Sequence, residues 1–223
     1  GAFLRIGDES YTDVAVANMY DGITIENIGY NEDTKAIVDT TSNGFVIQAD
    51  CGTFNMYGGT ITQNVCRSAI ASYGRSGLGA YIYGGKITNN NSRVLYTAWD
   101  ANAKIVVYDC LMQNNYSTAW GAIETSQERS TIILYGGKLL NNIGAGKDNN
   151  KAVNAQVYSN GYIYVSDKVA IENGECVSLE GNVYTIDKTY FVKNNNYKPL
   201  DMKSTVIYAK DGSAIGYGYV SGK

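Results

Sequence analysis

The chain has 223 residues, of which 17% are charged, and its net charge is −3. A typical domain carries about 25% charged residues, so the balance gives no reason to expect nucleic acid or an anionic membrane as a partner. Histidine is absent, which excludes Ser-His-Asp and Cys-His catalysis and leaves only carboxylate chemistry for an enzyme.

One phrase occurs four times between Thr53 and Asn142. Its clearest copies are Tyr83-Gly-Gly-Lys-Ile-Thr-Asn-Asn90 and Tyr135-Gly-Gly-Lys-Leu-Leu-Asn-Asn142. The anchoring tyrosines, Tyr57, Tyr83, Tyr108 and Tyr135, are 26, 25 and 27 residues apart. Weaker copies lie upstream at Asp21–Asn27 and downstream at Asp167–Asn173. A fixed period of this size indicates a repeat architecture.

The repeat is built from short strands. Ile, Val, Tyr and Thr alternate with period two between glycines, and no segment shows helical periodicity. One strand-rich coil per repeat predicts an all-β, single-stranded parallel β-helix, a β-solenoid. At a strand spacing of about 4.8 Å, about nine coils give a rod on the order of 40 Å long. We expect coils over residues 1–173, and terminal coils with an irregular cap of the same domain over 174–223, including a hairpin at Asp211-Gly212.

Stacking in register places like residues above like. Asn64, Asn90, Asn115 and Asn142, with Asn173 in the weaker copy, are expected to form a ladder of amides. An asparagine also tolerates the left-handed conformation of a sharp corner. The tyrosines Tyr57, Tyr83, Tyr108 and Tyr135 are expected to stack as a column of rings, which we place with the core aromatics inside the coil.

Insertions are tolerated at one corner, the one that follows the asparagine pair. Ala71, Tyr96, Glu124 and Asn154 are expected to align on adjacent coils near it. A ligand-binding patch is predicted there, and its aromatic and polar groups suit a sugar ring. The patch comprises Tyr96, Trp99, Asp100, Tyr116, Trp120, Glu124 and Gln127. The alternative is a solvated face with two tryptophans packed under their own loop.

Catalytic and metal sites have little support. Asp100 and Glu124 are an alternative catalytic pair, but no arginine is expected in register with them. The cysteines Cys51, Cys66, Cys110 and Cys176 show no zinc-binding spacing. Buried thiols are the simplest interpretation, with one disulfide left open. No metal or cofactor is predicted, and calcium has no supporting motif.

The phrase Tyr83–Asn90, followed by a variable turn and Ala-Ile, resembles the repeats of right-handed parallel β-helices of the pectate-lyase-like superfamily. It is especially similar to adhesin-like surface proteins of Gram-positive gut bacteria, over roughly residues 14–186. The resemblance implies a right-handed, secreted or cell-surface module of a larger bacterial protein. Its expected role is adhesive or structural and non-catalytic, with a glycan or a neighbouring protein as partner. The alternatives are a polysaccharide lyase or glycosidase, and a filament subunit that self-associates through coil ends.

Overall fold

The computed structural model describes residues 2–7, 15–31, 36–37, 44–74, 78–98, 102–117, 121–126, 130–144, 155–159, 161–166, 168–172, 175–178, 182–186, 191–193, 202–208 and 214–221. Every regular element in these ranges is a β-strand. They contain no helix that is long and apolar enough to cross a membrane.

The strands are short and follow one another closely along the chain. The first half contains β1 (Ala2–Ile6), β2 (Val16–Met19), β3 (Thr24–Glu26), β4 (Tyr30–Asn31), β5 (Ala36–Ile37), β6 (Phe45–Ala49), β7 (Thr53–Met56), β8 (Thr60–Thr62), β9 (Val65–Ser72), β10 (Gly79–Ile82), β11 (Lys86–Thr88), β12 (Asn91–Thr97) and β13 (Lys104–Val107). The second half contains β14 (Leu111–Gln113), β15 (Tyr116–Ser117), β16 (Ile123–Thr125), β17 (Thr131–Leu134), β18 (Gly137–Leu140), β19 (Ile143–Gly144), β20 (Ala155–Ser159), β21 (Tyr162–Ser166), β22 (Val169–Glu172), β23 (Glu175–Ser178), β24 (Asn182–Ile186), β25 (Phe191–Lys193), β26 (Met202–Tyr208) and β27 (Ala214–Ser221).

Three long sheets collect these strands in rotation. The first sheet runs β1-β6-β9-β12-β16-β20-β23-β27-β26, the second β2-β7-β10-β13-β17-β21-β24-β25, and the third β3-β8-β11-β14-β18-β22. Two small pairs, β15-β19 and β4-β5, lie outside them. The chain therefore visits the first, second and third sheets in turn and then begins the next coil, which confirms the parallel β-helix.

Pairing between coils is parallel from β1 to β24 in the three sheets. The described strands supply seven parallel rungs to each of the first two sheets, where about nine coils were expected from chain length. Beyond them β24–β25, β23–β27 and β26–β27 pair antiparallel. The predicted hairpin at the C-terminal end is thus confirmed as β26–β27.

Columns of aliphatic side chains fill the interior. Ile47, Ile70, Leu95, Ile123 and Val157 are the aligned, buried residues of the first sheet. The third sheet aligns Ile61, Ile87, Met112, Leu139 and Ile171. The second sheet contributes two inward columns, one starting at Phe54 and one at Met19. Alternation puts the residues between them outside, as the period of two predicts.

The asparagine ladder is confirmed at the corner between the third and first sheets. Asn64, Asn90, Asn115 and Asn142 are each at most 1% exposed. The Nδ2 groups of Asn64, Asn90 and Asn115 donate to the Oδ1 of the next asparagine at 2.9, 2.9 and 2.8 Å. The backbone N–H groups donate to the same oxygens at 3.0, 3.0 and 3.2 Å. Two donors therefore share each amide oxygen along the stack.

The left-handed conformation belongs to the residue before each ladder asparagine. Gln63, Asn89, Asn114 and Asn141 have φ between 54° and 56°, whereas the ladder residues do not have positive φ. The two residues of each pair thus have separate tasks, one turning the backbone and the other filling the buried corner. The position that follows Asn142 in the ladder is taken by Gln156, whose Oε1 accepts from Asn142 Nδ2 at 2.8 Å. Asn173 lies outside the described residues.

A second buried polar column lies at the corner between the first and second sheets. Its members are Ser72, Thr97, Thr125 and Ser159, all fully buried. Thr125 Oγ1 lies 3.0 Å from Ser159 Oγ and accepts the N–H of Gly161 at 2.8 Å. These hydroxyls bond with one another and with the backbone, which keeps a polar corner satisfied away from water.

Three of the cysteines, Cys51, Cys66 and Cys110, are buried and outside any disulfide. Cys110 aligns with the glycine position of the other repeats and is 2% exposed, as expected for a small buried residue. Burial raises the pKa of the Cys66 thiol to about 11 and raises the pKa of Cys110 further. Both thiols are therefore protonated and inert at neutral pH.

Replacing Asn115 by alanine tests the ladder. The change removes the acceptor of the Asn90 backbone N–H and the side-chain donor to the carbonyl of Ile87. Asn90 Nδ2 loses one of its acceptors and keeps the carbonyls of Ile61 and Thr88. Each buried group left unpaired costs about 1–3 kcal/mol, so the free energy of unfolding, measured in urea, should fall by roughly 3 kcal/mol or more.

The matched control is Asn114→Ala, one residue earlier on the exposed side of the corner. Its φ of 56° is strained for alanine, which costs about 1–2 kcal/mol, and Asn114→Gly should restore that loss. Equal losses for Asn114→Ala and Asn115→Ala would contradict the separate tasks of the pair.

The buried thiols give a second test, best made in a Cys51→Ser/Cys176→Ser variant that retains only Cys66 and Cys110. With a pKa near 11, roughly one Cys66 thiol in a thousand is ionised at pH 8. A thiol reagent should label neither residue in the folded protein and both in urea. Rapid labelling under native conditions would show that these coils open readily.

Candidate functional site

An exposed column of phenol rings runs along the corner between the second and third sheets. Consecutive rings are stacked with centroids 5.3, 5.0, 5.0 and 5.5 Å apart and interplanar angles between 4° and 15°. We call this column the tyrosine ladder; it consists of Tyr20, Tyr57, Tyr83, Tyr108 and Tyr135.

Backbone pairing sets the position of each ring. Tyr83 follows the inward-facing Ile82, and its N–H donates to the carbonyl of Met56 in the preceding coil at 2.7 Å. Two residues later Gly85 has φ +103°, and a Cβ there would lie 2.8 Å from the carbonyl oxygen of Gly59. Gly59 and Gly137 share the positive φ, whereas Cys110 takes the aligned position after Tyr108. Backbone pairing between coils, and not the glycine alone, therefore sets the position of each ring. The rings consequently repeat at nearly the strand spacing.

The stacking of the tyrosines was predicted, but their placement inside the coil is wrong. The five rings are 38–54% exposed. Because Phe54 and Met56 point inward, strict alternation directs Tyr57 outward. Tyr20 was missed as a member, although it directly precedes the upstream copy at Asp21–Asn27. Tyr20 lies 37 residues before Tyr57, which does not fit the repeat period, so the sequence did not indicate that it belongs to the column.

The ladder presents ring edges and hydroxyl groups to solvent, because neighbouring rings cover each other's faces. The five hydroxyl groups make no hydrogen bond to any residue that the structure describes. Burial, and then the neighbouring phenols Tyr108, Tyr57 and Tyr81, raises the pKa of Tyr83 above its ordinary value. Tyr83 thus remains neutral at physiological pH, and its hydroxyl group can both donate and accept.

Charged side chains of both signs flank the ladder on the third-sheet side. Lys86 and Lys138 are exposed, as predicted. Asp21 and Asp109 directly follow ladder tyrosines and are also exposed. The surroundings therefore combine an aromatic column with polar groups at its margin.

The predicted patch at the insertion corner is arranged differently from the expectation. Ala71, Tyr96 and Glu124 do align on adjacent coils, but the next aligned residue is Tyr158 and not Asn154. The longer loop before β20 shifts the register beyond the predicted position. Asn154 itself lies outside the described residues.

Tyr96 is 3% exposed and packs among cationic groups. The guanidinium carbons of Arg67 and Arg93 lie 5.2 and 4.5 Å from its ring centroid. Its hydroxyl accepts from Nη2 of Arg67 at 3.1 Å. With its ring beside two guanidinium groups, its hydroxyl bonded to Arg67 and 3% of its surface exposed, Tyr96 offers almost no surface to a ligand.

Glu124 is 4% exposed and forms a bidentate ion pair. Nε and Nη2 of Arg93 donate to its two carboxylate oxygens at 2.8 and 3.2 Å. The residue of β12 in register with Glu124 is Tyr96, so the expectation that no arginine lies in register holds. Arg93, three residues earlier on β12, nevertheless reaches the carboxylate. The buried ion pair thus connects side chains of two neighbouring coils.

Of the remaining patch residues, Tyr116 is described and is 44% exposed. Trp99, Asp100, Trp120 and Gln127 lie outside the described residues. Within the described part of the chain, no group of three or more His, Cys, Asp or Glu side chains is placed to hold a metal ion.

Removing the Glu124 carboxylate should destabilise the protein. In Glu124→Ala the buried Arg93 loses its counter-ion, and breaking a buried pair typically costs about 3–5 kcal/mol. Asp109→Asn, at an exposed acid, should change the free energy of unfolding by less than about 0.5 kcal/mol. Urea denaturation of both variants provides the measurement, and an unchanged midpoint for Glu124→Ala would refute a structural role for the pair.

No protein-family model, curated protein or solved structure matches the chain. The fold is therefore established by the strand pairing itself, and the candidate site by the geometry of the exposed residues.

Proposed function

We propose that the chain is a non-catalytic β-helix module of an extracellular bacterial surface protein, with an adhesive or structural role, and that the tyrosine ladder is its contact surface. The observation that carries the proposal is the alignment of five exposed aromatic side chains in one continuous column. Single exposed aromatics are common on protein surfaces, whereas contiguous exposed apolar patches mark interaction sites.

Rigidity supports a binding role for the ladder. Each ring is restrained by its stacked neighbour and by a backbone hydrogen bond of 2.7–2.8 Å to the preceding coil, made by the N–H groups of Tyr57, Tyr83, Tyr108 and Tyr135. Ordering a flexible side chain at an interface costs about 0.5–1.5 kcal/mol. Because the rings are already ordered in the folded module, binding loses little side-chain entropy, and each contact contributes more to the free energy of binding.

The ligand class follows from what the ladder presents. Ring edges carry positive partial charge, and each hydroxyl both donates and accepts hydrogen bonds. A glycan, rich in hydroxyl groups, or the polar surface of a neighbouring protein meets both requirements. The outer faces of Tyr20 and Tyr135, which stack on no other described ring beyond Tyr57 and Tyr108, add an open aromatic face at each end.

The environment of Glu124 argues against the alternative hypothesis of a lyase or glycosidase that uses Asp100 and Glu124 as its catalytic pair. A glycosidase requires two carboxyl groups that can exchange protons near the scissile bond. The described member of the alternative pair is buried and held by Arg93 at 2.8 Å. The module hypothesis needs no such group.

A ladder variant, Tyr83→Ala/Tyr108→Ala, tests the proposal on a glycan array and on immobilised bacterial and host surface proteins. The wild-type chain should bind at least one of these partners. Losing the central rings should weaken that binding tenfold or more, equivalent to about 1.4 kcal/mol. Far-UV circular dichroism should stay that of a β protein.

Tyr116→Ala is the matched control, because Tyr116 has the same exposure as the ladder rings and lies at a different corner. It should bind like the wild type. Loss of binding in Tyr116→Ala with retention in the ladder variant would move the contact surface to the insertion corner. A wild-type chain that binds none of the partners would argue against the adhesive role.

A further inference from the structure

The ladder holds phenol rings in the arrangement from which two of them can couple. Its four consecutive pairs are nearly parallel with centroids 5.0–5.5 Å apart. Their backbones are in register, so the carbon atoms beside each hydroxyl group are brought next to the corresponding carbons of the neighbouring ring. Because the new bond lies in the plane of both rings, the two rings must turn out of the stack about their side-chain torsions before these carbons meet, which the exposed position of the column leaves room for.

The same rings are open to an oxidant. Their hydroxyl groups face solvent and bond to no described residue, so a proton can leave to water when an electron is removed. Among the other tyrosines whose side chains the structure describes, Tyr96 and Tyr158 are buried, at 3% and 6% exposed, and Tyr116 is exposed but stacks on no described ring. The pair Tyr162–Tyr164 has a centroid distance of 6.5 Å and is partly buried.

We propose that the tyrosine ladder is a site of oxidative coupling, at which a haem peroxidase using hydrogen peroxide joins neighbouring tyrosines of one chain as dityrosine. Two neighbouring phenols each give one electron to the oxidant and one proton to water, which leaves two phenoxyl radicals. A carbon–carbon bond forms between the ring carbons beside the two oxygens. The hydrogen on each of these carbons then moves through water to its own ring oxygen and restores the phenol. Overall, two hydrogen atoms pass from the rings to one peroxide molecule, giving two molecules of water.

The product ties one coil covalently to the next. A link between Tyr57 and Tyr83 joins residues 26 positions apart, and one between Tyr83 and Tyr108 joins residues 25 positions apart. Closing such loops restricts the unfolded chain, in the way that a disulfide does. Coupling therefore stabilises the folded solenoid without a disulfide bond. This inference does not depend on the ladder binding a partner.

The experiment treats the dilute protein with a purified haem peroxidase and limiting hydrogen peroxide. Dityrosine fluorescence should appear in the monomer band of a denaturing gel. Peptide mass mapping should locate linked peptides that have lost two hydrogens, at consecutive ladder residues. The melting temperature of the treated monomer should rise.

Tyr83→Phe keeps a ring in the stack but cannot form a phenoxyl radical. This variant should lose the Tyr57–Tyr83 and Tyr83–Tyr108 links and retain those of Tyr20–Tyr57 and Tyr108–Tyr135. Tyr162→Phe, outside the ladder, should match the wild type. The proposal is overturned by links that map mainly to other tyrosines, by links that form only between chains, or by the absence of dityrosine.

Discussion

Buried amide hydrogen bonds between coils hold the register on which the rest of the structure depends. Each ladder oxygen from Asn90 to Asn142 accepts both the backbone and the side-chain N–H of the asparagine before it. A slip of one residue would leave these donors unpaired in an apolar corner, at a cost that rises with every coil. The aliphatic columns reinforce this constraint, because a slip of one residue would also turn their side chains from the interior to the outside.

The register has a consequence on the outer surface. Any residue type that recurs at one position of the repeat becomes a column, whether it points into the core or into water. Tyr57, Tyr83, Tyr108 and Tyr135 are such a case, and their rings stack because backbone pairing brings them to nearly the strand spacing. Stacking covers the ring faces, which reduces the apolar area exposed to water, while the edges and hydroxyl groups stay accessible. A rigid aromatic column is therefore a direct product of the repeat, and its chemistry is available to a binding partner and to an oxidant.

The insertion corner shows the opposite relation between sequence and structure. The repeat weakens after Asn142, and Gln156 completes the buried ladder with its longer side chain. Nearby, Arg67 and Arg93 enclose Tyr96, and Arg93 neutralises Glu124. In the sequence, Tyr96 and Glu124 resemble part of a binding patch. In the structure, both side chains are buried and make contacts within the protein. Burial of the charged pair is tolerated because the bidentate geometry compensates for the loss of hydration.

From the sequence alone, the period of the tyrosines and asparagines determined the parallel β-helix, the asparagine ladder, the stacking of Tyr57, Tyr83, Tyr108 and Tyr135, and the burial of Cys110, because these properties depend on spacing along the chain. The direction of the tyrosine rings was also accessible through the alternation around Phe54 and Met56, but their exposure was not recognised. Only the tertiary structure decided that Tyr20 joins the ladder, that Gln156 extends the amide stack, and that Arg93 reaches Glu124. Tyr20 and Gln156 lie at separations that depart from the repeat period, and Arg93 reaches across to a residue of the neighbouring coil. Packing, and not the sequence period, brings these residues together.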